Sequence, residues 1–264
     1  MQPADPQTVD SQEAAQTGVA QALQRARNTG QQVDAAPFES VLTSHAQAYA
    51  VQVQVAQAMK WFDGVPGYWK SGGGSREAVL THAPLPPAGV FSSPAQLGDW
   101  PAHALGIEAE IALRLGRDVT PEQALQLDGS HALALVDAMA VSVELVDFRW
   151  KQAAEAPFLL KLADLQSHGA LVLGPWQAFE ARDWSAQQAS VRIGARTTNV
   201  VGTHPLGDPA WLLPQWLRHV TQHYGTVAAG TVVTTGSWNG MPYAQVGDTV
   251  HVQFEGMGEV HIQL

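Results

Sequence analysis

The stretch "GIEAEIALRL", residues 106 to 115, limits the possible folds more than any other part of the chain. Its polar positions recur with period two, which predicts a β-strand, and in an extended strand residues i and i+2 project from the same face, about 6.5–7 Å apart. Glu108 and Glu110 therefore point the same way, among Ile107, Ala109, Ile111 and Ala112, none of which solvates a charge. Two like charges in that setting raise each other's pKa and lose hydration, unless the face is open to water or a cation lies between them. The spacing alone leaves both readings open.

A second run, "SVELVDFRW" (residues 142 to 150), adds Glu144 and Asp147 in another mostly apolar strand. Three carboxylates in a chain without cysteine make a hard, oxygen-rich donor set, suited to Mg²⁺ or Mn²⁺ with water and substrate in the remaining positions. Glu144 is the best third ligand. Asp147, three residues on, faces the opposite side of a regular strand and is expected to pair with Arg149.

The chain of 264 residues splits by texture. Residues 1–62 read as an N-terminal helical segment. One helix is capped at Asp10 or Ser11 and runs to about Asn28, the first ten residues are expected to be loose, and a second helix covers 39–62. Residues 63–264 read as a β-rich catalytic domain of one structural unit with the helices. Within it "DVTPEQALQL" starts a helix, with Thr120 as cap, Pro121 in the first turn and Gln123 completing a capping box. The run at 132–150 reads as helix passing into strand near Ala140, and the closing "GDTVHVQFEGMGEVHIQL" as a hairpin turning at "EGMG".

Composition narrows the function. A formal charge of −10 with 14 Lys and Arg spread along the chain argues against nucleic acid and anionic membrane surfaces, leaving small molecules and other subunits as partners. No apolar run approaches the ~18 residues a spanning helix requires, and the N-terminus lacks the basic and apolar regions of an export signal. With no cysteine, the expected location is the cytoplasm.

Other candidates stand beside bland alternatives. Lys70, in "GYWKSGGGS", is a candidate for proton transfer with a pKa lowered by a neighbouring cation, or a solvated loop lysine. Thr235, Gly236 and Ser237 in "TTGSWNG" offer donors for a substrate carboxylate, or form a turn needing Gly and Asn. Asp164 orients a water or Lys70, or caps a helix. His219 and His223, four apart on a helix, lack a carboxylate partner and are expected to be ordinary, partly buried histidines rather than zinc ligands. Trp69, Trp150 and Trp238 flank these motifs and would shape an apolar pocket. The G-x-S-x-G elbow and the P-loop ending are missing, so neither an α/β-hydrolase nor a nucleotide site is expected.

In order, "AYAVQ", "GYWKSG", "GIEAEIALRLGRDVT", "VELVDFRW", "KLADLQSHGALVLG", "GTVVTTGSWNG" and "GDTVHVQFEGMGEVHIQL" resemble the 2-keto-4-pentenoate hydratase branch of the fumarylacetoacetate hydrolase superfamily from about residue 40 onward. The resemblance implies an α+β fold, a mixed β-roll or sandwich core preceded by helices. It implies a divalent metal, Mg²⁺ or Mn²⁺, held by Glu108, Glu110 and Glu144. It also implies Lys70 near the active site, offset by Trp69, and a homo-oligomer. Two departures stand out: Leu165 follows Asp164 where the family carries Asn, and no acidic residue follows "AGVFSS" before Asp99.

The implied reaction is hydration of a 2-hydroxy-2,4-dienoate, through its unsaturated 2-keto acid, to a 4-hydroxy-2-keto acid. Decarboxylation of a keto diacid is the first alternative, with Arg76, Arg149 or Lys161 on the distal carboxylate. C–C hydrolysis of an acylpyruvate and non-catalytic keto-acid binding follow.

Overall fold

A computed structural model describes residues 6–264, with side chains from residue 13. Its helices are α1 (Pro6–Thr29), α2 (His45–Met59), α3 (Pro121–Leu125), α4 (Gly129–Leu133), α5 (Phe158–Ala163) and α6 (Leu213–Tyr224). Its strands are β1 (Tyr68–Gly72), β2 (Thr81–Pro84), β3 (Val90–Ser92), β4 (Ala95–Gln96), β5 (Gly106–Leu115), β6 (Val136–Val146), β7 (His168–Leu173), β8 (Gln177–Ala178), β9 (Gln188–Ile193), β10 (Arg196–Val201), β11 (Val232–Thr234), β12 (Thr249–Phe254) and β13 (Gly258–Gln263). Among the described residues no helix is long and apolar enough to cross a membrane.

The chain forms two compact units. The helical unit comprises the residues up to Asp63 together with Pro101–His103 and Asp147–His168. A boundary drawn at residue 62 misses the two later segments. Asp147–His168 groups with the helices because Trp150, Leu160 and Leu162 pack with Val19, Leu23, Val51 and Val55 in one apolar core, and His103 Nε2 of the shorter segment meets Gly30 O over 3.0 Å. Burying each such side chain contributes about 1.5–3 kcal/mol.

Helix α1 begins at Pro6, earlier than expected, so residues 6–10 are helical, while the expected caps Asp10 and Ser11 lie outside the described side chains. Helix α2 is shorter than the expected 39–62. Ser44 is extended and its hydroxyl accepts from Gln47 N–H, which fixes the start, and left-handed Lys60 (φ 53°) ends it.

The second unit holds the strands in two sheets. The larger runs β2-β1-β11-β5-β6-β7-β3, with β8 pairing β6, and mixes parallel and antiparallel neighbours; the smaller runs β10-β9-β12-β13-β4. Ile107, Ile111 and Leu113 from the larger sheet share one buried core with Val191, Val252 and Val260 from the smaller. The Thr120–Gln123 capping box is present, but α3 lasts only five residues. Strand β6 starts at Val136 rather than near Ala140, because its pairing with β5 already reaches Leu115. The closing hairpin turns at Glu255–Met257, with Phe254 opposite Gly258. The architecture is α+β, with curled mixed sheets and N-terminal helices.

Candidate metal centre

The register of β5 and β6 builds the site. Glu108 lies directly opposite Glu144, and Glu110 opposite Ser142. Directly opposed residues of an antiparallel pair share a face. All four side chains therefore project together, while Ile107, Ala109 and Ile111 turn into the apolar core. Next to β5, Thr234 of β11 stands opposite Ala112, and Lys70 of β1 stands beside Thr234. One oxygen from each of Glu108, Glu110 and Glu144 lies within 4.8 Å of the others.

The surroundings of these carboxylates are dry. Glu144 and Glu110 are 0 % and 2 % exposed, with Glu108 half-buried at the mouth. Lys70 Nζ donates to Glu144 Oε1 over 2.6 Å. Thr234 donates its hydroxyl to Glu110 and, having no second proton, accepts from Ser142 over 2.9 Å. Burial, reinforced by Glu144, pushes the Glu108 carboxyl up to about 7 against the pull of Lys70. Burial and repulsion from Glu144 and Glu108 push Glu110 up to about 8, which Lys70 and the Thr234 hydroxyl only partly offset.

Burial alone would lower the Lys70 pKa, but Glu144, Glu108 and Glu110 together raise it. This is the direction in the site without an ion, whereas the lowered lysine pKa expected from sequence belongs to an amine beside a bound cation.

The donor set fits a hard dication. When all are ionised, three carboxylates and one ammonium leave two negative charges in a water-poor site, and all the available donors are oxygens. Burying that excess uncompensated costs several kcal/mol per charge, and a divalent ion removes it.

The turn after β11 braces this arrangement. Thr235 is fully buried and its hydroxyl donates to Ile111 O over 2.7 Å. Ser237 donates to Gly240 O over 2.5 Å. These hydroxyls are thus committed to the protein, and what the turn offers a ligand is its backbone around Gly236, whose φ of 105° suits glycine alone.

Two residues absent from the sequence-level candidates hold the turn. Asn239 accepts from Ala109 N–H over 2.7 Å and donates to Ile107 O over 3.1 Å, fixing the β5 backbone on both sides of Glu108. His204 accepts Leu206 N–H at Nδ1 and so donates through Nε2 to Thr235 O over 2.8 Å. Burial lowers its pKa to about 4, which keeps the ring neutral. The Asn239 role was half-visible in the W-N-G turn signature; nothing in the sequence near His204 marks it.

Other expected site residues have different surroundings. Asp164, in the helical unit, accepts from Arg149 Nε over 2.7 Å and from Arg27 Nη2 over 2.7 Å. Arg149 also reaches Asp147 over 3.2 Å. Lys161 donates to Ala154 O over 2.5 Å. Asp164 and Lys161 therefore serve the helical unit's own charge network and backbone. Leu165, where the family carries Asn, sits at φ 52°, a left-handed conformation that Asn tolerates better.

Arg76 belongs to the β-rich unit and donates to Leu206 O over 2.6 Å. Trp69, Trp150 and Trp238 are all buried core side chains. His219 lies between His82 and His223, its ring tilted against both with centroids 4.7 and 4.6 Å away, and burial lowers its pKa to about 4.

Comparison with known proteins fits this arrangement. Residues 73–264 match the family described as fumarylacetoacetate (FAA) hydrolase C-terminal. The chain is 30 % identical to "2-keto-4-pentenoate hydratase 2" of Dechloromonas aromatica over 186 residues, 66 % of this chain and 68 % of that one. It is 31 % identical over 163 residues to "2-keto-4-pentenoate hydratase" of Paraburkholderia phymatum, 58 % of each chain. In fold it is similar to 4-oxalocrotonate decarboxylase from Pseudomonas putida G7, solved with magnesium and adipate, at TM-score 0.81 and 17 % identity, covering 95 % of this chain and 97 % of that one.

Proposed function

The chain belongs to the fumarylacetoacetate hydrolase C-terminal family, and on that premise we propose that it is a metal-dependent hydratase acting on a 2-hydroxy-2,4-dienoate. The observation that carries the reading is the convergence of Glu108, Glu110 and Glu144 beside Lys70, with two negative charges in excess. Those three carboxylates would hold the ion, Mg²⁺ or Mn²⁺. When bound, the dication supplies Lewis-acid stabilisation of the negative charge that develops on the substrate's 2-oxygen.

The remaining work falls to the chain. The backbone around Gly236, braced by Asn239 and His204, binds the substrate carboxylate. Lys70, kept protonated by its three acidic neighbours, faces the enolate as a cation and proton donor for ketonisation. Water then adds in conjugate fashion to the unsaturated 2-keto acid, giving the 4-hydroxy-2-keto acid. Ser142, through Thr234, orients the hydroxyl that donates to Glu110 and favours its ionised form when the ion binds.

The relatives at 30–31 % identity are named as hydratases, which favours hydration. Decarboxylation of a related diacid is the second reading, supported by the fold similarity to a decarboxylase. Of the three candidate cations for a distal carboxylate, only Arg76 belongs to the same unit as the carboxylate trio.

The experiment follows dienol ultraviolet absorbance with Mg²⁺ or Mn²⁺. Metal-dependent decay with formation of a 4-hydroxy-2-keto acid supports the hydratase. CO₂ release from a diacid in its place supports the decarboxylase, and decay at the uncatalysed rate with metal bound supports a binding protein.

A further inference from the structure

The smaller sheet carries a second cluster of ligating side chains, of different chemistry. His251 and His261 are directly opposite each other on β12 and β13, and Glu259 stands two residues along on the same face, opposite Gln253. Glu259 Oε2 lies 2.8 Å from His251 Nε2, and Glu259 Oε1 lies 3.3 Å from His261 Nε2. The two imidazoles are stacked, 4.2 Å between centroids and 10° from parallel, so both Nε2 atoms come to one side with the carboxylate. One ligand atom from each residue lies within 4.8 Å of the others.

From this geometry we propose that His251, Glu259 and His261 form a second metal site, selective for a borderline transition dication of the Zn²⁺ or Co²⁺ class. Tetrahedral Zn²⁺ with bonds of about 2.05 Å sets its ligand atoms about 3.3 Å apart. One ligand atom from each of the three residues already lies within 4.8 Å of the others, so reaching that spacing needs side-chain shifts of about 1.5 Å at most. Two imidazoles and one carboxylate prefer borderline ions, whereas the all-carboxylate trio prefers hard ones. The two sites therefore sort different metals.

The scaffold supports the assignment. The ligands sit on a two-stranded hairpin in regular register, whose turn at Glu255–Met257 is short, so the ion closes no mobile loop and orders little backbone. Their faces are open: His251, Glu259 and His261 side chains are 22 %, 49 % and 49 % exposed. A fourth position is thus accessible to water or an exogenous group.

Arg192 lies on the same rung, opposite His251 on the β9 side. Its charge opposes a cation, and it favours an anionic fourth ligand such as hydroxide or a carboxylate.

The test is a Co²⁺ titration of the full chain in excess Mg²⁺, read by visible absorption. The expected result is the intense absorption of four-coordinate Co²⁺, saturating at one ion per chain and displaced by Zn²⁺. His251→Ala and His261→Ala should each lose that absorption and bind at least tenfold more weakly, while Glu108→Gln retains it. Both histidine variants alter positions open or partly open to solvent and keep Mg²⁺-dependent turnover, which reports that they are folded. Absence of the absorption in the parent protein, or its persistence at equal strength in His251→Ala, overturns the assignment.

Discussion

Lys70 Nζ lies 2.6 Å from Glu144 Oε1, although their strands stand three places apart in the order β1-β11-β5-β6. A flat sheet would separate them by about 14 Å at ~4.8 Å per strand. The reach of the two long side chains together with the curl of the sheet closes that gap. Lys70 is therefore the internal counter-ion of the carboxylates as well as a group facing the substrate. Replacing it should separate these roles.

Lys70→Met removes one positive charge from beside three carboxylates. Metal affinity should hold or rise, turnover should fall by at least a hundredfold, and the metal-free protein should lose about 3–5 kcal/mol from uncompensated buried charge. Titration calorimetry with and without Mg²⁺, beside a rate assay, measures all three. A lysine that only sits in a solvated loop would change none of them.

The Thr234 hydroxyl stabilises Glu110 in its charged form. Thr234→Val removes a hydrogen bond to a charged group, worth about 1.5–3 kcal/mol. Mg²⁺ binding should weaken by roughly tenfold or more at pH 7, and the gap should narrow as pH rises past the raised Glu110 pKa of the variant. A loss that is constant with pH would point to simple packing damage.

Raised carboxyls also dictate how pH acts on the metal-free protein. The Glu108 and Glu110 pKa values of about 7 and 8 lie above the ordinary value of 4.5, so the folded state retains protons that the unfolded chain has released. Stability should therefore fall as pH rises from about 4.5 to 8. Mg²⁺ must displace those protons, so its affinity should climb over the upper part of the same range and level off above about 8. Chemical denaturation and Mg²⁺ titration across that range check both slopes; a flat metal affinity would contradict the account.

Asp164 faces two guanidiniums within the helical unit. Asp164→Asn should cost about 3–5 kcal/mol of stability, as breaking a buried pair does, with Mg²⁺ affinity per folded molecule unchanged. Thermal melts and metal titration of the same preparation separate this from a direct role at the metal centre.

What the sequence made legible follows from locality. Glu108 and Glu110 share a face because strand period alone requires it, and Ser142 shares a face with Glu144 by the same rule. Sequence could not supply the register that sets Glu108 against Glu144, nor the curl that brings Lys70 across three strand spacings. His204 and Asn239 act through contacts some 30 and 130 positions away, and neither spacing leaves a local signature. Asp164 was misleading for a related reason: its partner Arg27 lies 137 residues earlier in the chain. The His251–Glu259–His261 cluster arises only when the closing hairpin pairs, so a search for helical or sequential ligand spacings passes over it.

The central claim is that three carboxylates hold one hard dication. Calorimetric titration of Mn²⁺ into the parent protein at pH 8, and into the Glu110→Gln/Glu144→Gln double variant, tests it most directly. The account predicts that one Mg²⁺-competable ion per chain is lost in the double variant, with the fold retained. Undiminished Mg²⁺-competable binding in that variant would contradict it.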